Sequence, residues 1–402
     1  MAAVAAGTIP SRLGRLFAAF DESGLEWSLL RPAGQLAQRA GDVDVLVSPG
    51  GLARAGAVLE AEGFLPIRAT PGDVHAADHD AASGRFLWIH VQTALHVAEL
   101  AIGAGEVLAV ARARPLPQPP DGWLFWILAL RGLLEKGGIP ARQRSEVQAL
   151  AASAAAAPSA LRRLASGHGI DPERIVALAA AGDWDGLERL ASVRAPRRER
   201  RRSRLRSRLA GLRAGRGLTV AVLGPDGAGK STLVDGLERS LPLPTRVQYL
   251  GLTGGWLPRA DALRMPGLVF TARVAILWSR YLRGAYHRAH GRVVLFDRYT
   301  LDAAVPSGRR LRPVAAFSRR VQRHVIPKPD LVLVLDAPGA VMHARKGEYE
   351  PERLDDWAAA YRRLAGTIRH VEMLDASRPA EIVLADAEAR VWRRYGALWH
   401  GR

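Results

Sequence analysis

The sequence predicts an α/β protein with two α/β domains that are separated by a helical region and a basic linker. Three patterns support this prediction. From Leu218 onward, short apolar runs alternate with helical segments, which is typical of a parallel sheet covered by helices on both faces. Strand and helix patterns also alternate from Gly24 to Ile67. Residues 121–193 are rich in Ala and Leu and predict helices throughout.

These patterns place the domain boundaries. The predicted units are an α/β domain at 1–115, a helical region at 116–193, an Arg-rich linker at 194–216 and a second α/β domain at 217–402. A chain of 402 residues is long enough for two or three domains with buried cores.

The composition indicates in which cellular compartment the protein is expected. The chain has no cysteine, which excludes disulfides and cysteine-ligated zinc and favours a cytoplasmic location. The longest apolar runs are shorter than the roughly 20 residues that a membrane span needs. Residues 1–7 carry no basic flank, so a secretory signal is not expected.

The linker at 194–216 contains eleven arginines and one glutamate, out of a net charge of +18 for the chain. Such a run can bind nucleic acid, an anionic membrane or an acidic partner. No aromatic residues are interleaved with the arginines, so stacking on bases is not expected. We interpret the segment chiefly as a solubilising tether that binds polyanions weakly and without sequence preference.

A phosphate-binding loop is the strongest motif in the chain. It follows the apolar run 218–223, precedes a helical pattern, and has two glycines separated by four residues before Lys-Ser. The glycines let backbone N–H groups face phosphate oxygens, and the helix N-terminus adds partial positive charge. Lys230 would then reach the β- and γ-phosphates of ATP, and Ser231 would hold Mg²⁺. The predicted nucleotide-binding residues are Gly224, Pro225, Asp226, Gly227, Ala228, Gly229, Lys230, Ser231 and Thr232.

The amino-acid usage of the chain argues against a chance glycine-rich turn. Of 57 basic residues only four are lysines, at positions 136, 230, 328 and 346. A lysine at the one position that the motif requires is therefore a specific signal for nucleotide binding.

Two further apolar runs of the second domain end in acidic residues. Residues 291–296 precede Asp297 and Arg298, and the run 329–336 ends in Asp336. Ligands of parallel α/β sheets bind at the carboxyl ends of the strands, so these groups are expected beside the phosphate loop.

Taken together, residues 217 to about 390 resemble the thymidylate kinase family of P-loop nucleoside monophosphate kinases. The shared motifs are the Asp-Gly-Ala-Gly-Lys-Ser loop, Asp-Arg-Tyr at 297–299, Pro-Asp-Leu at 329–331, a basic lid and Asp-Ala-Ser at 375–377. The resemblance implies that Lys230 and Ser231 bind ATP and Mg²⁺, and that Asp226 reaches the acceptor or the metal shell. It also assigns Asp297 and Arg298 to the acceptor phosphate, with Asp297 able to reach Mg²⁺ through water.

Phosphoryl transfer needs positive charge around the moving group. Some members of the family carry an arginine inside the phosphate loop, whereas this loop has Gly227-Ala228. The lid is therefore expected to supply the charge, with Arg345 as the first candidate, Lys346 as the second and Arg353 as the third.

The sequence specifies the phosphate acceptor less well than the ATP site. The family usually follows Asp-Arg-Tyr with a serine and an Ala-Tyr-Gln that recognise thymine, but this chain continues with residues 300–306 of a different pattern. Arg264, Arg273 and Arg280 could each meet an acceptor phosphate. A nucleoside monophosphate, a sugar phosphate or another phosphorylated metabolite all stay open, as does an ATP-gated switch without turnover. The oligomeric state also stays open, a homodimer included.

In the first domain, Asp42 and Asp44 lie two residues apart on a predicted strand, so both carboxylates share one face. Paired carboxylates can hold a divalent metal against a nucleotide. This stretch resembles the minimal nucleotidyltransferase fold, whose third carboxylate lies on a later strand. Here His90 or Gln92 stands at that place. We expect either a weak or silent transferase or a docking module, and strand-capping carboxylates are the structural alternative.

The segment 73–80 concentrates aspartate and histidine. Its spacing does not favour a metal site, and a solvated loop is expected there.

Overall fold

The computed structural model describes residues 9–38, 43–80, 83–114, 116–156, 158–192, 217–251, 266–305, 320–321 and 324–400. Asp42, Arg264 and the basic linker at 194–216 lie outside these residues. The chain divides into two compact units. The first contains Met1–Asp78 and Leu87–Arg208, and the second contains His79–Phe86 and Leu209–Arg402.

A five-stranded mixed sheet with the strand order β1-β2-β5-β4-β3 lies in the first unit, except for the last two residues of β4 and the first two of β5. Strands β1 and β2 are antiparallel, whereas β2 and β5 are parallel. The elements of this part are α1 (Ser11–Glu22), β1 (Trp27–Leu29), β2 (Val43–Val47), α2 (Leu52–Ala61), β3 (Leu65–Ala69), β4 (Asp73–Asp80) and β5 (Arg85–Gln92).

Strand β2 buries side chains on both of its faces. Val43, Val45 and Val47 are buried on one face, and on the other face Leu46 is buried while Asp44 is only partly buried. The expectation of a loop at 73–80 is wrong, because this segment is strand β4 and its Ala76 and Ala77 are buried. The polar composition hid the strand, since its only apolar side chains are Val74, Ala76 and Ala77.

Helices complete the first unit, as the pattern at 121–193 predicts. Helix α4 is buried on nearly every side, and its core also takes in Leu30 and Leu46 from the sheet. The remaining elements are β6 (Ala94–Val97), β7 (Leu100–Gly103), α3 (Ala104–Val110), β8 (Arg112–Arg114), β9 (Leu116–Gln118), α4 (Asp121–Leu130), a π-helical turn (Arg131–Lys136), α5 (Ala141–Leu150), α6 (Ser159–Gly167), α7 (Pro172–Ala181) and α8 (Trp184–Ser192).

The second unit is built on a five-stranded parallel sheet with the order β11-β12-β10-β13-β14. All six residues of the central strand β10 are buried, as expected for a strand covered by helices on both faces. Its elements are β10 (Leu218–Leu223), α9 (Lys230–Ser240), β11 (Thr245–Tyr249), α10 (Pro266–Ala289), β12 (Val293–Asp297), β13 (Leu331–Asp336), α11 (Gly339–Lys346), α12 (Pro351–Ala365), β14 (Val371–Asp375) and α13 (Ala380–His400).

The register of this sheet brings the predicted site together. Val222 on β10 pairs with Asp297 on β12, and Asp336 on β13 pairs with Asp375 on β14. The phosphate loop follows Leu223 at the same end. The carboxyl edge of the sheet therefore carries the loop and three strand-end acids, which is where ligands of such sheets bind.

Asp330 stabilises the opposite edge. Its carboxylate accepts hydrogen bonds from the Thr219 backbone N–H at 2.9 Å and from the Thr219 hydroxyl at 2.7 Å. The Arg288 guanidinium donates two further bonds, at 2.9 and 3.0 Å. One carboxylate thus joins the start of β10, the approach to β13 and the last turn of α10.

Across the described residues, no helix is both long and apolar enough to cross a membrane.

Asp330→Ala should lower the free energy of unfolding by about 2 to 4 kcal/mol, because it leaves the buried donors of Thr219 without an acceptor. Urea denaturation of the full chain, followed by tryptophan fluorescence, measures this change. Asp235→Ala on the exposed face of α9 is the matched control and should leave the transition unchanged. Equal midpoints for the two variants would contradict this role of Asp330.

Candidate functional site

The phosphate loop of the second unit has the backbone that its glycines permit. Gly224, Gly227 and Gly229 adopt positive φ angles of 148°, 85° and 92°. A Cβ at Gly227 would lie 2.5 Å from the carbonyl oxygen of Met342, so a side chain is excluded there on steric grounds as well. Helix α9 begins directly at Lys230. The loop and the helix N-terminus together form a site for an anion.

Lys230 is buried inside this loop, with 8% of its surface exposed. Its ammonium group donates hydrogen bonds to the carbonyl oxygens of Gly224 at 2.9 Å and Pro225 at 2.7 Å, and to the Asp226 carboxylate at 3.3 Å. Burial lowers the pKa of Lys230, and the Asp226 charge opposes that shift. The following Ser231 and Thr232 are exposed, so both hydroxyls are open to a ligand.

Asp226 also binds Arg298. One carboxylate oxygen accepts from the Arg298 guanidinium at 2.7 Å and from Lys230. Burial would raise the pKa of Asp226, but the two cations lower it below its ordinary value. Arg298 has a φ of 67°, an uncommon value for a residue with a side chain. This backbone strain accompanies the contact of Arg298 with the loop.

Asp297 is the last residue of β12 and is partly buried. It pairs in register with Val222, one residue before the end of β10. This places its backbone beside the start of the loop, while the neighbouring Arg298 makes the side-chain contact with the loop.

Asp302 is a partly buried acid that sequence reasoning did not select. Its carboxylate accepts a hydrogen bond from the Tyr361 hydroxyl at 2.8 Å. Burial raises the pKa of Asp302, although the charges of Lys230 and Arg298 oppose the shift. Burial raises the pKa of Tyr361 as well. The position follows the Asp-Arg-Tyr motif in sequence, but nothing in the sequence pattern indicates that this carboxylate turns inward.

The three lid candidates lie in different surroundings. Arg345 lines a cavity of about 320 Å³ together with Gly229 and Thr232, and it donates a hydrogen bond to the Ala376 carbonyl at 2.8 Å. Lys346 forms an ion pair with Glu348 at 3.1 Å. Arg353 lies over the rings of Tyr349 and Trp357.

Arg280 belongs to the carboxyl edge of the sheet. Its guanidinium lies 5.5 Å from the ring centroid of Tyr249, at the end of β11, and donates to the Gly251 carbonyl. Arg273 lies earlier on the same helix. The structure thus gives Arg280 a defined place on the side of the sheet where Arg298 also lies.

The first unit contains a second polar cluster. Asp44 and His90 are paired in register on β2 and β5, and His90 Nδ1 lies 3.1 Å from the Asp44 carboxylate. Arg131 donates to the same carboxylate at 3.2 Å. Burial would raise the pKa of Asp44, but the bond from His90 and the charge of Arg131 lower it. His90, one of the two residues expected at the third-acid position of the nucleotidyltransferase resemblance, therefore lies beside Asp44.

His75 extends this cluster from β4. Its ring stacks on His90 with 3.9 Å between centroids and 8° between planes, and its Nε2 lies 3.9 Å from Asp73. Burial, followed by the neighbouring His90, lowers the pKa of His75 to about 4, so its imidazole is neutral at neutral pH. Residues at i and i+2 share a strand face. The spacing of Asp73 and His75 would have indicated this cluster had the segment been predicted as a strand rather than as a loop.

Several characterised proteins are similar to part of this chain. Thymidylate kinase from Pseudomonas putida is 32% identical over 207 residues, which cover 43% of this chain and 94% of that protein. Thymidylate kinase from Leifsonia xyli is 32% identical over 208 residues, covering 44% and 94%. A probable thymidylate kinase from Pyrobaculum aerophilum is 28% identical over 196 residues, covering 43% and 96%.

A solved structure of thymidylate kinase from Candida albicans matches with 16% identity and a TM-score of 0.33, covering 43% of this chain and 90% of that one. No family model matches the chain. Because the chain covers nearly the whole length of two relatives that are 32% identical to it, it belongs, through the part that they match, to the thymidylate kinase family.

Proposed function

We propose that residues 217–402 are an ATP-dependent kinase domain that transfers a phosphoryl group to a nucleoside monophosphate or a similar small phosphorylated acceptor. The observation that carries this proposal is the buried ammonium of Lys230 inside a glycine-rich loop at a helix N-terminus. A site of this kind suits the phosphates of a nucleotide. Membership of the thymidylate kinase family supports the same reaction class.

The residues at the loop fit ATP and Mg²⁺. Ser231 presents an exposed hydroxyl in the first turn of α9, and Asp297 ends the neighbouring strand. Oxygen ligands of this kind suit Mg²⁺, which would neutralise charge on the phosphates when bound. Lys230 exchanges its bond to Asp226 for phosphate oxygens in this proposal, while its carbonyl contacts hold the ammonium in place.

Arg298 and Arg280 are the proposed acceptor-phosphate residues. Arg298 is held at the loop by Asp226, and a guanidinium can bind a phosphate through two parallel hydrogen bonds. The base or sugar of the acceptor would face the segment after Arg298. That segment lacks the family's thymine-recognising pattern and contains Asp302, whose partly buried carboxylate accepts a hydrogen bond from Tyr361. The departure favours testing sugar phosphates beside nucleotides.

The acceptor is identified by one experiment on the full chain. ADP release is measured in a coupled assay with Mg²⁺·ATP and a panel of nucleoside monophosphates and sugar phosphates. A kinase shows steady turnover stimulated by one acceptor class. ATP binding without stimulation by any acceptor would instead support an ATP-gated switch.

Lys230→Ala should remove most ATP affinity or turnover, because no other described cation occupies the loop interior. ATP titration by calorimetry and the ADP assay measure the two effects. Lys328→Ala, an exposed lysine of the same unit, is the matched control and should behave like the wild type. An unchanged ATP titration for Lys230→Ala would show that the nucleotide binds elsewhere.

Arg345→Ala should lower kcat by about 10³-fold or more while raising KM for ATP far less, the pattern of an interaction made mainly in the transition state. Lys346→Ala, whose ammonium pairs with Glu348, should change kcat less. Steady-state kinetics on an accepted substrate separate the two parameters. A rise in KM alone would make Arg345 a nucleotide-binding residue and move the catalytic charge elsewhere.

For the first unit we propose a nucleotidyltransferase-like fold that is catalytically weak or silent. Asp44 is engaged by His90 and Arg131, and His90 stands in place of a carboxylate on β5. Two-metal transfer needs carboxylates that hold both ions near the reacting oxygens. With an imidazole at this place, the second ion of such a pair would bind poorly.

The full chain carrying Lys230→Ala, incubated with each nucleoside triphosphate and Mg²⁺ or Mn²⁺, should release no pyrophosphate above background. The substitution silences the phosphate loop, so any release would come from the first unit. Robust release that disappears on adding Asp44→Asn would make the chain a bifunctional enzyme and contradict the proposal.

A further inference from the structure

Three metal-ligating side chains meet in the first unit, outside the phosphate-loop site. Asp73 and His75 lie on β4, and His90 lies on the adjacent strand β5. Each of them offers one donor atom, and the three atoms lie within 4.8 Å of one another. Two imidazoles and one carboxylate are a recurrent ligand set for divalent transition metals.

Two of the donor atoms have unmet hydrogen-bonding capacity. His90 Nε2 and Asp73 Oδ1 are buried and have no hydrogen-bond partner among the described residues. Buried polar atoms are rarely left without a partner, and a bound ion is one of the usual reasons for an exception. Both atoms belong to the same cluster, so one ion would satisfy both.

Asp44 fixes the tautomer of His90 that can bind a metal ion. An ionised carboxylate can only accept a hydrogen bond, so the bond to Asp44 places the proton of His90 on Nδ1 and leaves the Nε2 lone pair free. A carboxylate behind a metal-bound histidine is a common way to fix the tautomer and the ring orientation. Arg131 holds Asp44 from the other side at 3.2 Å.

We propose that Asp73, His75 and His90 bind one divalent transition-metal ion of the Zn²⁺ type, with Asp44 as the positioning residue for His90. Imidazole nitrogens favour such ions over Mg²⁺, which prefers oxygen ligands. The site therefore differs from the Mg²⁺ site proposed at the phosphate loop, and it does not rest on either proposed activity.

Binding requires a small local adjustment. Bonds of about 2.1 Å in tetrahedral geometry separate neighbouring donors by roughly 3.4 Å, so donors that lie within 4.8 Å of one another have to approach by at most about 1.4 Å. The rings of His75 and His90 are stacked and nearly parallel. One ring must also turn until the two lone pairs converge, and His75, at 29% side-chain exposure, has the freer surroundings.

The site opens into a cavity of about 370 Å³. Asp73 and His90 line it, together with Arg131 and Lys136. Three protein ligands leave at least one coordination position for water or for a donor atom of a ligand, as in catalytic rather than structural metal sites. Arg131 and Lys136 offer positive charge at the cavity, and Asp44 and Glu135 offer negative charge there.

Zinc binding to the metal-stripped full chain tests the proposal. Isothermal titration in excess Mg²⁺, which occupies carboxylate-only sites, should give one Zn²⁺ per chain. His75→Gln, His90→Gln and Asp73→Asn should each weaken Zn²⁺ binding at least about 100-fold, and Co²⁺ should lose its ligand-field absorption in the same variants. His168→Gln, which alters a histidine of the same unit outside the cluster, should bind like the wild type.

The Asp44→Asn variant distinguishes the proposed site from one in which Asp44 itself binds the ion. It should weaken Zn²⁺ binding about 10- to 100-fold without changing the stoichiometry, as expected for a residue behind a ligand. Circular dichroism checks that each variant is folded. If His90→Gln unfolds, the test depends on His75→Gln, because the His75 side chain is the more exposed of the two. Absence of one-to-one binding, or binding that is lost in Asp44→Asn but kept in His75→Gln, would overturn the proposal.

Discussion

The buried positive charge of Lys230 is the constraint on which the second unit depends. An ammonium group cannot stay in the interior without partners, and the loop supplies two carbonyl oxygens and the Asp226 carboxylate. Asp226 in turn fixes Arg298 at the end of β12. The same charge that we propose as the phosphate-binding group therefore also determines how the loop and the neighbouring strand meet.

In the first unit a single carboxylate, that of Asp44, has a role comparable to that of Asp226. Asp44 lies on a central strand and is approached from one side by His90 and from the other by Arg131. Its lowered pKa reflects these two neighbours. In both units an acid keeps two nitrogen-bearing side chains in a fixed arrangement, but in the first unit one of them is an imidazole, whose second ring nitrogen is the proposed metal ligand.

The sequence predicted the elements whose signals are local. The strand, loop and helix around Lys230 follow from glycine positions and an apolar run, and the helices after residue 121 follow from apolar periodicity. It failed at β4, where polar residues form a strand because β5 and β3 provide its hydrogen bonds. Arg131 and Asp302 were also beyond its reach, since their contacts join residues 87 and 59 positions apart. Tertiary contacts of this kind do not produce a periodic pattern of residues in the sequence.

The left-handed backbone of Arg298 has a consequence for how this protein would respond to selection in the laboratory. A side chain at a φ of 67° costs roughly 1 kcal/mol, and glycine would remove that cost. A library screened only for heat resistance should therefore enrich glycine at this position, whereas a library screened for turnover should retain arginine. At position 298, thermal stability thus favours glycine and activity favours arginine.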